Sequence, residues 1–340
     1  MSPAVAVRRG AILDTLLLTH EHVAGLMRPA DWLEAVEAGF RALADGLAAA
    51  PAPMALEGEG GAFHAKGATF RIGAPRAALK LNGNFPGNPE RHGLPTIQGA
   101  ILLCDGETGA LLAIMDSAEV TLRRTAAATA LAARHLARPD SRTIMICGCG
   151  AQGRAHLEAL REILPLERLF AWDRLPDRAR ALAVEARAAA LAAEATDGLA
   201  AARHCDLIVT CTTAAEPFLD ADLVPPGCFV AAVGADSPHK SEIDPALFAR
   251  ALVVVDSLDQ CLAMGDLRHA VAAGAIEPSA VHAELAELVA GRQPGRTSDA
   301  EITLYDSTGT AVQDVACASL IYDRALEAGL GLPVRLGAAA

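Results

Sequence analysis

Residues 143–173 constrain the fold of this chain more than any other stretch. Thr143–Cys147 is an apolar run of strand character. Gly148-Cys149-Gly150-Ala151-Gln152-Gly153 follows it directly and opens a helical pattern over Gln152–Leu164. A second apolar run, Arg168–Trp172, ends at Asp173. GxGxxG alone is a weak signal in a chain with 29 glycines. Here it joins a strand to a helix and has a carboxylate about 20 residues downstream, and that context is the dinucleotide-binding fingerprint. Gly148 makes the tight turn, Gly150 admits the pyrophosphate to the backbone, and Gly153 lets the helix pack closely on the strand. Ala151 and Gln152 begin the helix, whose free N–H groups point at the phosphates. Asp173 suits the ribose hydroxyls and repels a 2′-phosphate, which favours NAD. Arg174 and Arg178 offer that phosphate a cationic seat, which keeps NADP in play.

The alternation continues. An Ala-rich helix is expected over 123–137, stopped at Arg138-Pro139-Asp140. A long helix over Asp177–Ala193 precedes strands at Leu207–Cys211, Phe229–Val233 and Leu252–Val255. Strands that are continuous apolar runs between helices indicate an α/β fold with a Rossmann-type, doubly wound parallel sheet. The N-terminal part reads differently. A helix over Asp31–Ala49 carries Trp32, Val36, Phe40, Leu43 and Leu47 as a core-facing stripe. Short runs cut by Gly and Pro follow at Ala62–Lys66, Ala77–Leu81, Thr96–Cys104 and Ala110–Met115, with hairpin chemistry at Asp105–Gly109. This is a second, α+β domain built on a largely antiparallel sheet. The last helix, Gln313–Ala328, is free to return to it.

Composition narrows the function. A net charge of −12 argues against nucleic-acid binding, which needs clustered Lys and Arg. No stretch is apolar enough to span a membrane, and no export signal is visible. The eight cysteines form no CxxC pair and lie mostly in apolar runs, as expected of reduced thiols in the cytoplasm. No His/Cys/Asp cluster has metal-ligand spacing, so no metal is expected.

A series of motifs resembles the ornithine cyclodeaminase/μ-crystallin family. It begins with Leu79-Lys80-Leu81, Phe85-Pro86-Gly87-Asn88-Pro89 and Gly93-Leu94-Pro95-Thr96. Asp105, Gly106, Thr108-Gly109, Thr121 and Arg124-Thr125-Ala126-Ala127 come next, then the glycine loop. Gly234-Ala235-Asp236, Tyr305-Asp306-Ser307-Thr308-Gly309 and Gln313-Asp314 complete it, in the family's order. The resemblance implies a split substrate-binding and dimerisation domain, residues 1–122 plus 312–340, around a dinucleotide-binding domain, residues 123–311. It also implies a homodimer. Phe63-His64-Ala65-Lys66 and Leu81–Pro86 look most like the branch that reduces cyclic ketimines. The cyclodeaminase branch tends to carry Met-Pro where Lys66-Gly67 stands.

The site residues follow from this likeness together with their chemistry. Arg124 can fork onto a substrate carboxylate, and Lys80 adds a point charge and, if desolvated, a proton donor. As the second residue of a helix expected to begin at 123, Arg124 opposes the dipole, which favours function over a surface role. Lys66 is a third candidate cation, replacing an arginine that the family often carries upstream and that Ala52-Pro53-Met54-Ala55 lacks. Asp236 follows a strand end, where it serves either the substrate amine or a turn. Thr96, Ser307 and Thr308 offer hydroxyls to substrate or cofactor, and equally to loop turns; Thr125 is assigned to the cofactor. His64 and His239 stand near the motifs but read more simply as packed histidines. The expected activity is NAD(P)H-dependent reduction of a small cyclic imino acid, Δ1-pyrroline-2-carboxylate or Δ1-piperideine-2-carboxylate. Ornithine cyclodeaminase and a linear, alanine-type amino acid dehydrogenase are the alternatives; pure binding fits less well with Lys80, Arg124 and Asp236 all retained.

Overall fold

The computed structural model describes residues 14–336. The N-terminal half forms β1 (Thr15–Leu18), α1 (His20–Leu26), α2 (Pro29–Ala44), β2 (Ala48–Ala49), β3 (Met54–Gly58) and β4 (Gly61–Phe70). β5 (Arg76–Asn84), α3 (Asn88–His92), β6 (Ile97–Asp105), β7 (Leu111–Asp116) and α4 (Ser117–Leu136) complete it. Then come β8 (Thr143–Cys147), α5 (Ala151–Arg161), β9 (Arg168–Trp172), α6 (Pro176–Ala188), β10 (Ala192–Ala195), β11 (Leu207–Thr210), β12 (Phe229–Ala232) and α7 (Pro245–Phe248). The chain closes with β13 (Ala251–Val255), α8 (Leu258–Met264), α9 (Asp266–Ala272), β14 (Ala283–Glu284), α10 (Leu285–Val289), β15 (Ile302–Asp306), α11 (Ala311–Ala328) and β16 (Leu332–Val334).

The first sheet has the order β16-β1-β7-β6-β5-β4-β2, with β3 also paired to β4. It is antiparallel except where β1 runs parallel to β7. The β6–β7 turn is tied by Asp105, whose Oδ1 accepts from the Glu107 and Thr108 N–H groups. Strand alternation sends Lys80 and Asn82 to the buried face and Leu79 and Leu81 to the other. α11 closes the buried face, packing on α2, β4 and β5. The chain thus returns to the first sheet after the second is finished.

The second sheet is wholly parallel in the order β10-β9-β8-β11-β12-β15-β13-β14. From β8 the chain winds outward through β9 and β10, then comes back to place β11 on the other side of β8. The switch in winding therefore opens a crevice at the carboxyl ends of β8 and β11, the place where open α/β sheets bind ligands.

Three helix limits differ from expectation by five residues or more. α2 stops at Ala44, because Gly46 (φ +68°) turns the chain and Ala48–Ala49 pair with β4. α6 stops at Ala188; Ala190 takes φ +61°, and Ala192–Ala195 join the sheet edge beside β9. Alanine favours helix, but sheet pairing outweighs so small a preference. α4 begins at Ser117 rather than 123, capped by the Asp116 carboxylate on the Glu119 N–H at 3.0 Å. It runs unbroken through the expected boundary at 122/123.

Candidate active site

The glycine loop lies at the switch point. A Cβ at Gly148 (φ +100°) would fall 2.7 Å from the Cys211 carbonyl oxygen, and one at Gly153 would fall 2.2 Å from that of Gly148. Both positions admit only glycine. A Cβ at Gly150 would meet nothing within 4 Å. That open side is the approach to the unpaired N–H groups at the start of α5. Ala151 is exposed there, and the buried Oε1 of Gln152 has no partner among the described residues. Asp173 accepts from the Cys149 and Leu175 N–H groups, each at 2.8 Å. A carboxylate has about four acceptor positions, so two remain for hydroxyls. Arg174 and Arg178 are exposed beside it. Thr125, buried on α4, donates to the Thr121 carbonyl at 2.7 Å. The loop, the helix start and Asp173 fit a dinucleotide.

Next to this edge is a cleft enclosing ≈ 80 Å³, lined by Lys66, Lys80, Asn82, Arg124, Asp236 and Thr308 among others. β4 and β5 present their lysines side by side, since Lys66 and Lys80 are register partners. Asp314, in the first turn of α11, joins two of the cations. Its Oδ2 lies 2.7 Å from Lys80 Nζ, and its Oδ1 accepts from Arg124 Nε at 3.1 Å. All three side chains are nearly sealed from solvent, at 4%, 6% and 2% exposure for Lys80, Arg124 and Asp314. Arg124 also donates to Gln313 Oε1 at 3.1 Å, and Lys80 to Thr121 Oγ1 at 3.4 Å. Lys66 Nζ donates to the Thr308 and Gly309 carbonyls at 3.0 and 2.8 Å. Thr308 turns its own hydroxyl to Asp256 at 3.2 Å.

Two of the three cations therefore share one carboxylate and Lys66 meets only carbonyls, and burying unbalanced charge is expensive. Burial pushes the Lys80 ammonium down to about 7; Asp314 resists the shift, and Arg124 and Lys66 add to it. Lys66 moves the same way, through burial and then the charge of Arg124. The cleft calls for an anion. Asp236 sits at its half-exposed rim, 2.5 Å from Lys240 Nζ. Burial pushes its carboxyl up, but Lys240 and then Lys66 and His64 hold it below the usual carboxylate value. His64 also lines the cleft, with its pKa lowered by burial. Among the described residues no cluster of three or more His, Cys, Asp or Glu side chains is placed to hold a metal ion.

Lys66, Lys80, Arg124, Asp236 and Thr308 thus meet in one place. Thr96 is not among the lining side chains; its carbonyl accepts from the Phe85 N–H at 2.8 Å. Ser307 is buried against Asp256, and His239 is exposed. Arg124 lies in the third turn of α4, so the dipole misfit expected of it does not arise. Arg123, its neighbour, points away to Glu119 and Glu158. Sequence reading missed Asp314 and Asn82 as site groups, and Asp256 behind the site. A clearer signal was present: the chain has only three lysines among 29 basic residues, and Lys66, Lys80 and Lys240 all stand at this cleft.

The sequence profile of the ornithine cyclodeaminase/mu-crystallin family matches residues 13–329. This chain belongs to that family. The resemblance drawn from its motifs holds, and so does the Rossmann-type α/β fold. An archaeal alanine dehydrogenase dimer with bound NAD superimposes with a TM-score of 0.92 at 38% identity, covering 96% of this chain and 100% of that one. The Thermococcus litoralis Δ1-pyrroline-2-carboxylate reductase in complex with NADH and L-proline gives 0.90 at 32% identity, covering 94% and 100%. The iminosuccinate reductase of Paracoccus denitrificans in complex with NAD+ gives 0.88 at 32% identity, covering 95% and 100%.

Proposed function

We propose that this family member is an NAD(P)-dependent oxidoreductase that reduces the C=N bond of a small α-imino acid to the amino acid. The observation that carries this reading is the convergence of Lys66, Lys80 and Arg124 on one cleft, where Asp314 is the only carboxylate among the described residues in contact with any of them. The three similar enzymes above bear names with an amino- or imino-acid substrate in common, and differ in whether it is cyclic. Within the class we favour a cyclic imino acid, Δ1-pyrroline-2-carboxylate or Δ1-piperideine-2-carboxylate. The linear imine of an alanine-type dehydrogenase is the second reading, favoured by the higher identity to alanine dehydrogenase.

In this account NAD(P)H, when bound at Gly148–Gly153 and Asp173, supplies the hydride. Arg124 turns the guanidinium edge not used by Asp314 and Gln313 to the substrate carboxylate, and Lys66 adds its remaining N–H. Thr308 closes the carboxylate's side of the cleft. Lys80 gives a proton to the imine nitrogen as the carbon accepts the hydride, so that C=N becomes CH–NH with its charge balanced. A lysine poised near neutrality suits that transfer, because donor and solvent protons are then nearly isoenergetic. Asp236 faces the positive charge that develops on the nitrogen as the proton arrives ahead of the hydride. Positioning and electrostatics are the protein's share of the chemistry.

The reading extends to assembly. Leu17, Met54, Leu56, Phe63, Leu79, Leu81 and Leu332 of the first sheet are 37–59% exposed, on strands that pair across its width. So broad an apolar surface marks an interface, and a second copy of the chain is the occupant we assign. A monomeric mass by light scattering at micromolar concentration would contradict it. All eight cysteines are free thiols, which supports a reducing, cytoplasmic setting. Among the described residues no helix is long and apolar enough to cross a membrane.

The test of activity is a panel of five- and six-membered cyclic imino acids, pyruvate with ammonia, and ornithine, each with NADH, NADPH or NAD+. Steady loss of reduced-nicotinamide absorbance with imino acids is expected. Conversion of ornithine to proline with no net redox change would assign the lyase reaction instead.

A further inference from the structure

We propose that Asp256, a fully buried residue just beyond β13 that lines neither the cleft nor the glycine loop, is the positioning residue for the substrate-carboxylate cations. It acts through the 307–309 loop. The inference rests on the carboxylate-binding reading above.

The loop after β15, whose Ser307 N–H donates to the Ala232 carbonyl at 2.9 Å, is gripped at three donors by this one carboxylate. Asp256 accepts from the Ser307 hydroxyl at 3.1 Å, the Thr308 hydroxyl at 3.2 Å and the Gly309 N–H at 2.6 Å. Cys261 adds a thiol contact at 3.5 Å, and the Asp256 N–H donates to the Asp306 carbonyl at 3.1 Å. Asp256 has no basic residue as a salt-bridge partner among the described residues; its carboxylate is met by the three loop donors and the Cys261 thiol. Three donors drawn to one side turn the loop's carbonyls to the other. Those of Thr308 and Gly309 are the two that grip Lys66 Nζ. Gly309 takes φ +78°, and a Cβ there would fall 2.5 Å from Arg124 Nη1, so the same loop is the wall against which the guanidinium lies. One buried carboxylate thereby sets two cations from the side away from substrate. Charged hydrogen bonds to backbone and hydroxyl groups are strong enough to hold such a loop in one conformation.

Asp256→Asn keeps the volume and replaces one acceptor by a donor facing the loop's own donors. It is compared with Lys66→Met and with the double variant. For the imino-acid substrate, KM should rise about tenfold in Asp256→Asn while kcat changes less than about threefold, the pattern of binding lost equally from ground and transition states. NADH affinity by fluorescence titration should stay within about twofold of wild type. In the Lys66→Met background, Asp256→Asn should add only about threefold to KM, because the part of its effect that passes through Lys66 is gone and only the part through Arg124 remains. A full tenfold increment there, or an unchanged KM in the single variant, would overturn the proposal.

The same cycle read in urea midpoints needs no substrate: the double variant should lose less than the two single losses together. Full additivity would overturn the coupling even if the wild type fails to turn over any imino acid, which would sink the reductase reading alone. Should Asp256→Asn not fold, Ser307→Ala removes one donor and should raise KM in the same direction by a smaller factor. An unchanged KM in Ser307→Ala would then count against the proposal.

Discussion

The glycine loop and the cationic cleft lie along the same edge of the parallel sheet, yet they are built in opposite ways. The loop is local. Six consecutive residues and one aspartate at the end of the next strand define it, and its key property is the absence of side chains. The cleft is assembled from β4, β5, α4, α11 and the β12 and β15 loops, and its key property is charge. Backbone geometry tolerates almost no substitution at Gly148 or Gly153, whereas the cleft depends on which charges remain when one is lost. The two regions should therefore fail differently under mutation.

The largest effect is expected in the cleft. Arg124→Ala should lower kcat/KM by roughly 30-fold to several-thousand-fold, since losing one partner of a buried charged contact costs about 2–5 kcal/mol. Arg123→Ala removes the same charge one position away and breaks only its bonds to Glu119 and Glu158, so activity should stay within about threefold. Equal losses in the two variants, with both folded by circular dichroism, would erase the directional argument.

The glycines separate folding from binding. Gly153→Ala puts a methyl 2.2 Å from the Gly148 carbonyl and should lower the melting temperature and dinucleotide affinity together. Gly150→Ala meets nothing within 4 Å and should leave the melting temperature alone while weakening NADH binding by about tenfold or more. If Gly150→Ala binds NADH normally, the open side of the loop is not the pyrophosphate approach.

A smaller, pH-resolved effect belongs to Lys80. With its pKa near 7, the ammonium is lost as pH rises through neutrality, so kcat should fall on the alkaline side of about 7 if Lys80 is the proton donor. Lys80→Arg should abolish that limb at a lower plateau, because a guanidinium stays charged. An unchanged alkaline limb in Lys80→Arg would place the proton elsewhere. The same shift acts on stability. Between about 7 and the ordinary lysine value of 10.5 the unfolded chain holds the proton and the folded one does not, so the cost of burying this site shrinks, and stability rises, as pH rises through that window.

Asp173 gives the smallest effect. Its carboxylate already bonds two N–H groups of its surroundings, so Asp173→Ala should shift the NADH-to-NADPH efficiency ratio toward NADPH by a modest factor and weaken both. An unchanged ratio would show that the exposed Arg174 and Arg178 dominate cofactor choice.

This contrast also explains what could be read in the sequence. The parallel sheet and glycine loop were legible because strand, turn and helix signals are contiguous there. Lys80 and Arg124 were reached through the family's motif series. Asp314 was quoted among those motifs without a role, because an acid in the first turn of a helix already has a local reason to be there. Only folding brings it 2.7 Å from Lys80, across more than 230 positions of chain. Asp256 left no local trace at all, since its partners are donors of a loop some 50 residues on. The α4 start was misplaced because nothing in Ser117–Leu122 separates it from the strand before it except the capping aspartate. The three lysines were visible as a composition anomaly, but only their convergence gives that rarity a meaning.

The central claim, that buried cations select an α-carboxylate beside a C=N bond, is tested most directly by one substrate pair. Δ1-Pyrroline-2-carboxylate and Δ1-pyrroline, its decarboxylated counterpart, should be compared as oxidants of NADH by the same enzyme at the same pH. The account predicts a kcat/KM ratio of about 1,000 or more in favour of the carboxylate, equivalent to about 4 kcal/mol at the contact site. Reduction of the two imines at comparable efficiency would contradict it.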